Sequence, residues 1–74
     1  MPRKVRELKA DLRHAGFAPL QSQGKGSYSK WKHPLVPDPV LLSGHDGDDA
    51  RHYQERNVQN AIREARKAQG RLAP

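Results

Sequence analysis

The sequence predicts an α+β fold: two helices laid on one face of a small three-stranded antiparallel sheet, in the order α-β-β-β-α. Three observations carry this prediction. Apolar residues recur at helical spacing toward each end of the chain, and the middle alternates with period two around the only tryptophan. Glycine or proline punctuates the junctions. The 74 residues accommodate one small domain, residues 1–74, with a thin core and little stability in reserve.

Val5, Leu8, Leu12 and Ala15 recur at i, i+3, i+7 and i+10, so residues 3 to 15 form an amphipathic helix, and Gly16 is its expected stop. Arg6, Lys9 and Arg13 share one flank of its apolar stripe, with Glu7 and Asp11 on the other. Residues 17 to 21 read as a short edge strand interrupted by Pro19, and residues 23 to 26 as a turn. Residues 27 to 33 form a second strand, with Tyr28, Lys30 and Lys32 outward and Ser29, Trp31 and His33 facing the helices. Pro34, Pro37 and Pro39 predict a stiff turn, and Val40 to Leu42 a third strand. The aspartates between positions 46 and 49 form a polar turn that caps the next helix. That helix runs from about Ala50 to Gln69 on a stripe of Val58, Ala61, Ile62, Ala65 and Ala68, and Gly70 closes it.

Charge narrows the function classes. The formal net charge is +6, and it is unevenly spread. Residues 1–33 carry eight Lys/Arg against two acids, residues 34–50 four Asp and no Lys/Arg, and residues 51–74 six Lys/Arg against two Glu. A basic–acidic–basic pattern on a small domain points to a surface facing RNA or DNA; a generally basic surface is the plainer alternative. With no cysteine, disulfides, thiolate metal sites and cysteine nucleophiles are excluded. No apolar run approaches the roughly 20 residues of a membrane span, and no signal-peptide core follows Met1, so the expectation is a soluble cytoplasmic chain with no membrane contact.

The segment GKGSYSKWKHP, residues 24–34, is the strongest candidate surface. Its glycines would let backbone N–H groups approach a phosphate, and its lysines supply charge; an ordinary hairpin turn with solvated lysines has the same composition. Of the four histidines, His14 lies opposite the apolar stripe, and His33 shares the inward face of Trp31. His45 and His52 flank the acidic turn without any metal-ligand spacing, and helix capping accounts for Asp46, Asp48 and Asp49. No metal or other cofactor is expected.

Three stretches together, KVRELKADLRHAGF, GKGSYSKWKHP and SGHDGDDARHYQERNVQNAIREA, resemble the HicA toxins of bacterial toxin–antitoxin pairs. The likeness covers nearly the whole chain in order. Its most specific parts are the Gly-Ser-x-Ser-Lys-Trp-x-His-Pro run and the Gly-x-Asp-Gly-Asp-Asp-Ala turn with the following Tyr-Gln-Glu. The resemblance implies a double-stranded-RNA-binding-like fold, a metal-independent endoribonuclease activity on mRNA, and a HicB-like antitoxin partner. The resemblance also makes Tyr28 the catalytic position, where the family typically has histidine. The expected RNA contacts, read from the basic strand with its glycine turn and from the cationic flank of the first helix, are Lys25, Gly26, Ser27, Lys30 and Lys32, joined by Arg6, Lys9 and Arg13.

That departure matters chemically. Metal-free RNA cleavage needs a base for the 2′-hydroxyl and an acid for the leaving oxygen, and imidazole, titrating near ~6.5, serves as either at neutral pH. A phenol with pKa ~10 is ionised about one part in a thousand at pH 7. It can donate a hydrogen bond or stack on a base but accepts a proton poorly. The expectation is RNA binding retained and turnover crippled, in an inactivated toxin or in a variant whose chemistry is lost or has moved to His33. A non-enzymatic RNA-binding module and an interaction protein that docks an acidic partner are the alternatives.

Overall fold

A computed structural model describes residues 3–20 and 29–72. The elements are α1 (Val5–His14), β1 (Ala18–Pro19), β2 (Ser29–His33), β3 (Val36–Leu42) and α2 (His52–Leu72), the α-β-β-β-α order expected. The three strands are antiparallel in the order β1-β2-β3, which makes β2 central.

Helix α1 forms because Val5, Leu8 and Leu12 all enter the core. It ends in a Schellman motif: the Gly16 N–H donates to the Arg13 carbonyl (3.0 Å) and the Phe17 N–H to that of Leu12 (2.9 Å). Gly16 has φ +99°, a conformation that L side chains adopt only under strain. Phe17, expected in the first strand, instead turns inward and is buried beside Leu12. The regular part of β1 is accordingly two residues, pairing Ala18 with Lys32 and Pro19 with Trp31.

The third strand is longer than its sequence suggests. Pro34 and Leu35 alone make the turn, and Pro37 and Pro39 lie within β3. An edge strand tolerates them, since an outward-facing position has no ladder bond to lose. Their cost shows as an irregularity in register: Trp31 pairs with Val40, but His33 pairs with Val36. Trp31, 1% exposed, is the largest fully buried side chain, and its indole Nε1–H donates to the Ser29 hydroxyl at 3.1 Å. At roughly 25 cal/mol per Å² and about 150–250 Å² for an aromatic side chain, its burial contributes at most about 4–6 kcal/mol.

The acidic turn caps a different helix from the one expected. Helix α2 starts at His52, where Gln54 folds back so that its Oε1 accepts the Arg51 N–H at 2.9 Å, while its Nε2 donates to the Ser43 carbonyl at 2.9 Å. The aspartates take no part in that cap. They lie against the start of α1: the Val5 N–H donates to the Asp48 carbonyl (2.9 Å) and the Arg6 N–H to that of Asp46 (3.2 Å). Two donors left orphaned by any helix N-terminus are thus satisfied by residues far along the chain, and three carboxylates stand near the positive end of that dipole. At its other end α2 passes through Gly70 to Leu72; Gly70 does not terminate it.

Candidate nucleic-acid interface

Strand β2 separates its side chains as alternation predicts. Lys30 and Lys32 are exposed, and Trp31 and His33 are buried at 1% and 3% exposure. Because the helices pack on the Trp31 side, the lysines stand on the open face of the sheet. Neither meets a carboxylate among the described residues. The Lys32 Nζ reaches the Pro37 carbonyl at 3.3 Å, a contact that orients the ammonium without neutralising it.

The register supplies neighbours that sequence reasoning did not pick out. Lys30 pairs with Leu41 across one strand boundary, and its carbonyl accepts the Leu20 N–H at 2.8 Å across the other. Leu20 and Leu41 are 43% and 47% exposed. The outer face therefore presents a row of apolar, cationic and apolar groups, able to hold a phosphate at its centre and bury part of a sugar or base on each side. Period-two alternation marked Lys30; pairing Leu20 and Leu41 with it requires the register itself. Lys25, Gly26, Ser27 and Tyr28, which precede Ser29 in the chain, lie outside the described residues.

The cations of α1 belong to the helix layer, across the sheet from Lys30 and Lys32, so the two predicted sets do not form one surface. Lys9 donates to Asp46 at 2.7 Å. The Arg13 guanidinium lies over the Trp31 ring, 5.3 Å from its centroid, a cation–π contact worth about 0.5–1 kcal/mol where solvent reaches it. Arg6 is exposed. Lys9 and Arg13 thus have partners within the helix layer.

The three carboxylates of the turn are likewise occupied. Asp46 takes Lys9, Asp49 takes Lys4 at 2.6 Å, and the Asp48 Oδ2 accepts the His45 N–H at 2.9 Å. The hydrogen bond from Lys9, then its charge, holds the Asp46 carboxyl below its ordinary range. On α1, Arg3 bonds Asp11 at 2.6 Å, and that bond raises the guanidinium further above its usual value. The aspartates are explained by ion pairs and capping.

His33 is not placed to act on a substrate. Its Nδ1 accepts the Leu35 N–H at 3.0 Å, its ring meets Phe17 edge-on at 5.1 Å between centroids, and its Nε2 lies 3.4 Å from the Gln69 side-chain amide. A neutral ring that accepts at Nδ1 carries its proton on Nε2, so the Gln69 amide is best oriented with its oxygen toward His33. Both nitrogens then have internal partners. His14, His45 and His52 are exposed but belong to the helix layer and the acidic turn. Among the described residues, the lysine face carries no imidazole.

Compared with protein-family models, with characterised proteins and with solved structures, the chain matches none. No helix of the described residues is long and apolar enough to cross a membrane.

Proposed function

We propose that this chain is an RNA-holding domain of HicA type, the toxin component of a type II toxin–antitoxin pair, with tyrosine where cleavage needs histidine. The observation that carries the reading is the arrangement of β2. It is the central strand, anchored by Trp31 and His33 on its buried side, and it presents Lys30 and Lys32 on the open side, with no carboxylate partner among the described residues. The segment Lys25-Gly26-Ser27-Tyr28 leads directly into it. An RNA strand drawn to the lysines would pass the residue at position 28.

On this reading the backbone of a cytoplasmic mRNA is held by Lys25, Lys30 and Lys32, and its 2′-hydroxyl is left without a competent base. Tyr28 donates a hydrogen bond or stacks on a nucleobase, either of which supports binding. A HicB-like antitoxin occupying the same face would exclude RNA by competition. The engaged nitrogens of His33 favour binding over cleavage by the chain as it stands, because the described part of the lysine face then has no histidine to take over the chemistry.

Replacement Tyr28→His tests the assignment. The variant is expected to arrest growth on induction in a bacterial host, and to cleave RNA in vitro without added metal, while the parent chain binds RNA and leaves it intact. If purified Tyr28→His leaves single- and double-stranded RNA uncut, position 28 is not the catalytic one. If the parent cuts as fast as the variant, tyrosine there is no handicap and the reading of inactivity fails.

A further inference from the structure

The opposite side of the molecule carries a second basic surface, produced by helix packing. Where α1 and α2 meet, an open groove of ≈ 890 Å³ is lined by Asp11, His14, Gln59, Arg63, Arg66, Lys67 and Gln69 among others. Arg63, Arg66 and Lys67 are exposed and have no carboxylate partner among the described residues. The one carboxylate in the lining, Asp11, is already held by Arg3 at 2.6 Å, so it does not offset these three charges. Gln59 and Gln69 add neutral amides that can donate to oxygen, and His14 adds a ring at the α1 wall.

Spacing suits an extended anion better than a compact one. Gln59, Arg63, Arg66 and Gln69 recur every three or four residues along one side of α2, spanning about 15 Å at ~1.5 Å per residue. That length accommodates several phosphates of one nucleic-acid strand, which carries a charge every ~3.4 Å of helix axis in duplex form. A single phosphate or carboxylate would use only one end of it.

We propose that the α1–α2 groove is a second RNA-backbone site, contacted by Arg63, Arg66 and Lys67, that lengthens the RNA footprint beyond the lysine face. The ligand rests on the RNA reading above; the location does not. Phosphate contacts of this kind position a strand without reading its sequence.

The test is fluorescence anisotropy of a labelled 20-nucleotide single-stranded RNA between 50 and 200 mM salt. It compares the parent chain, a groove variant (Arg63→Gln, Arg66→Gln, Lys67→Gln) and a face variant (Lys30→Gln, Lys32→Gln). Three lost contacts at ~0.7 each reduce the slope of log affinity against log salt by about 2, so the parent's advantage over the groove variant shrinks roughly twentyfold across that fourfold salt range. A groove variant with the parent's affinity and slope, beside a weakened face variant, overturns the groove and leaves the face. The reverse pattern keeps the groove and removes the face. A parent that does not bind at 50 mM salt overturns both. The substituted side chains are exposed, and Trp31 fluorescence reports whether each variant is folded; the single reversal Arg66→Glu, which also weakens binding if the proposal holds, replaces the triple variant if that one unfolds.

Discussion

Substituting alanine at Gly16 isolates two costs that the fold combines at one position. Gly16 has φ +99°, and a Cβ built there lies 2.9 Å from the His33 Nε2 and 3.1 Å from its Cδ2. Left-handed backbone costs an L residue about 1–2 kcal/mol. The ring cannot retreat freely, since Phe17 packs against it and the Leu35 N–H holds its Nδ1; overpacking of this kind costs about 1–3 kcal/mol. The sum, roughly 2–5 kcal/mol, is a large share of the 4–11 kcal/mol that ~0.05–0.15 kcal/mol per residue allows this chain. Urea unfolding followed by the fluorescence of the one tryptophan measures it, with a fall in Tm of at least ~8 °C as the thermal counterpart. In a His33→Ala background the overlap disappears and only the backbone cost, about 1–2 kcal/mol, remains. Gly70→Ala supplies the opposite sign: open space surrounds its Cβ position within a helix, so alanine there stabilises by about 0.5–1 kcal/mol. If Gly16→Ala costs less than ~0.5 kcal/mol, both the strain and the contact have been misjudged.

Two further outcomes follow from the turn and its neighbours. Gln54→Ala removes the acceptor for the Arg51 N–H and the donor to the Ser43 carbonyl at a residue 3% exposed; a loss of about 2–3 kcal/mol in urea unfolding is expected, and an unchanged midpoint would show the tie to be dispensable. Asp46→Asn is expected to lower Tm near neutral pH. The native carboxyl titrates below its ordinary value of 3.8, so as pH falls the unfolded chain takes up this proton first. The contribution of Asp46 is therefore complete above about pH 5, and it fades as pH drops below 3.8 and through the native value. The Tm gap between parent and variant should close in acid; a gap that widens there contradicts the ion pair with Lys9.

Local rules made part of this molecule legible. Apolar spacing located the buried face of α1, and alternation around Trp31 separated the exposed lysines from the core. Gly16 and Gly70 look alike in the sequence, each following an apolar stripe, yet only Gly16 adopts a positive φ. What distinguishes them is tertiary: His33 and Gln69 stand against the first, and open space surrounds the second. Capping chemistry assigned the aspartates to the adjacent helix, whereas the backbone carbonyls of Asp46 and Asp48 serve the start of α1, a partner 45 residues away at the Lys4–Asp49 pair. Of the candidate RNA residues, Lys30 and Lys32 followed from strand period alone. The engagement of Lys9 and Arg13, and the gathering of Arg63, Arg66 and Lys67 opposite α1, depend on how the helices dock, which no single segment encodes.

The long-range closure between Arg3–Arg6 and Asp46–Ala50 has a consequence for the order of events during synthesis. Helix α1 emerges before the acidic turn, but the carbonyls that accept its Val5 and Arg6 N–H groups come from Asp48 and Asp46, and the Arg3 carbonyl waits for the Ala50 N–H. Until those residues have left the ribosome, the helix start is served only by local contacts and water. A ten-residue helix is marginal alone, so α1 is completed only after residues translated well behind it are available. The same closure joins the beginning of the chain to the segment leading into α2, and a ribosome paused before position 46 would hold a nascent chain that lacks it.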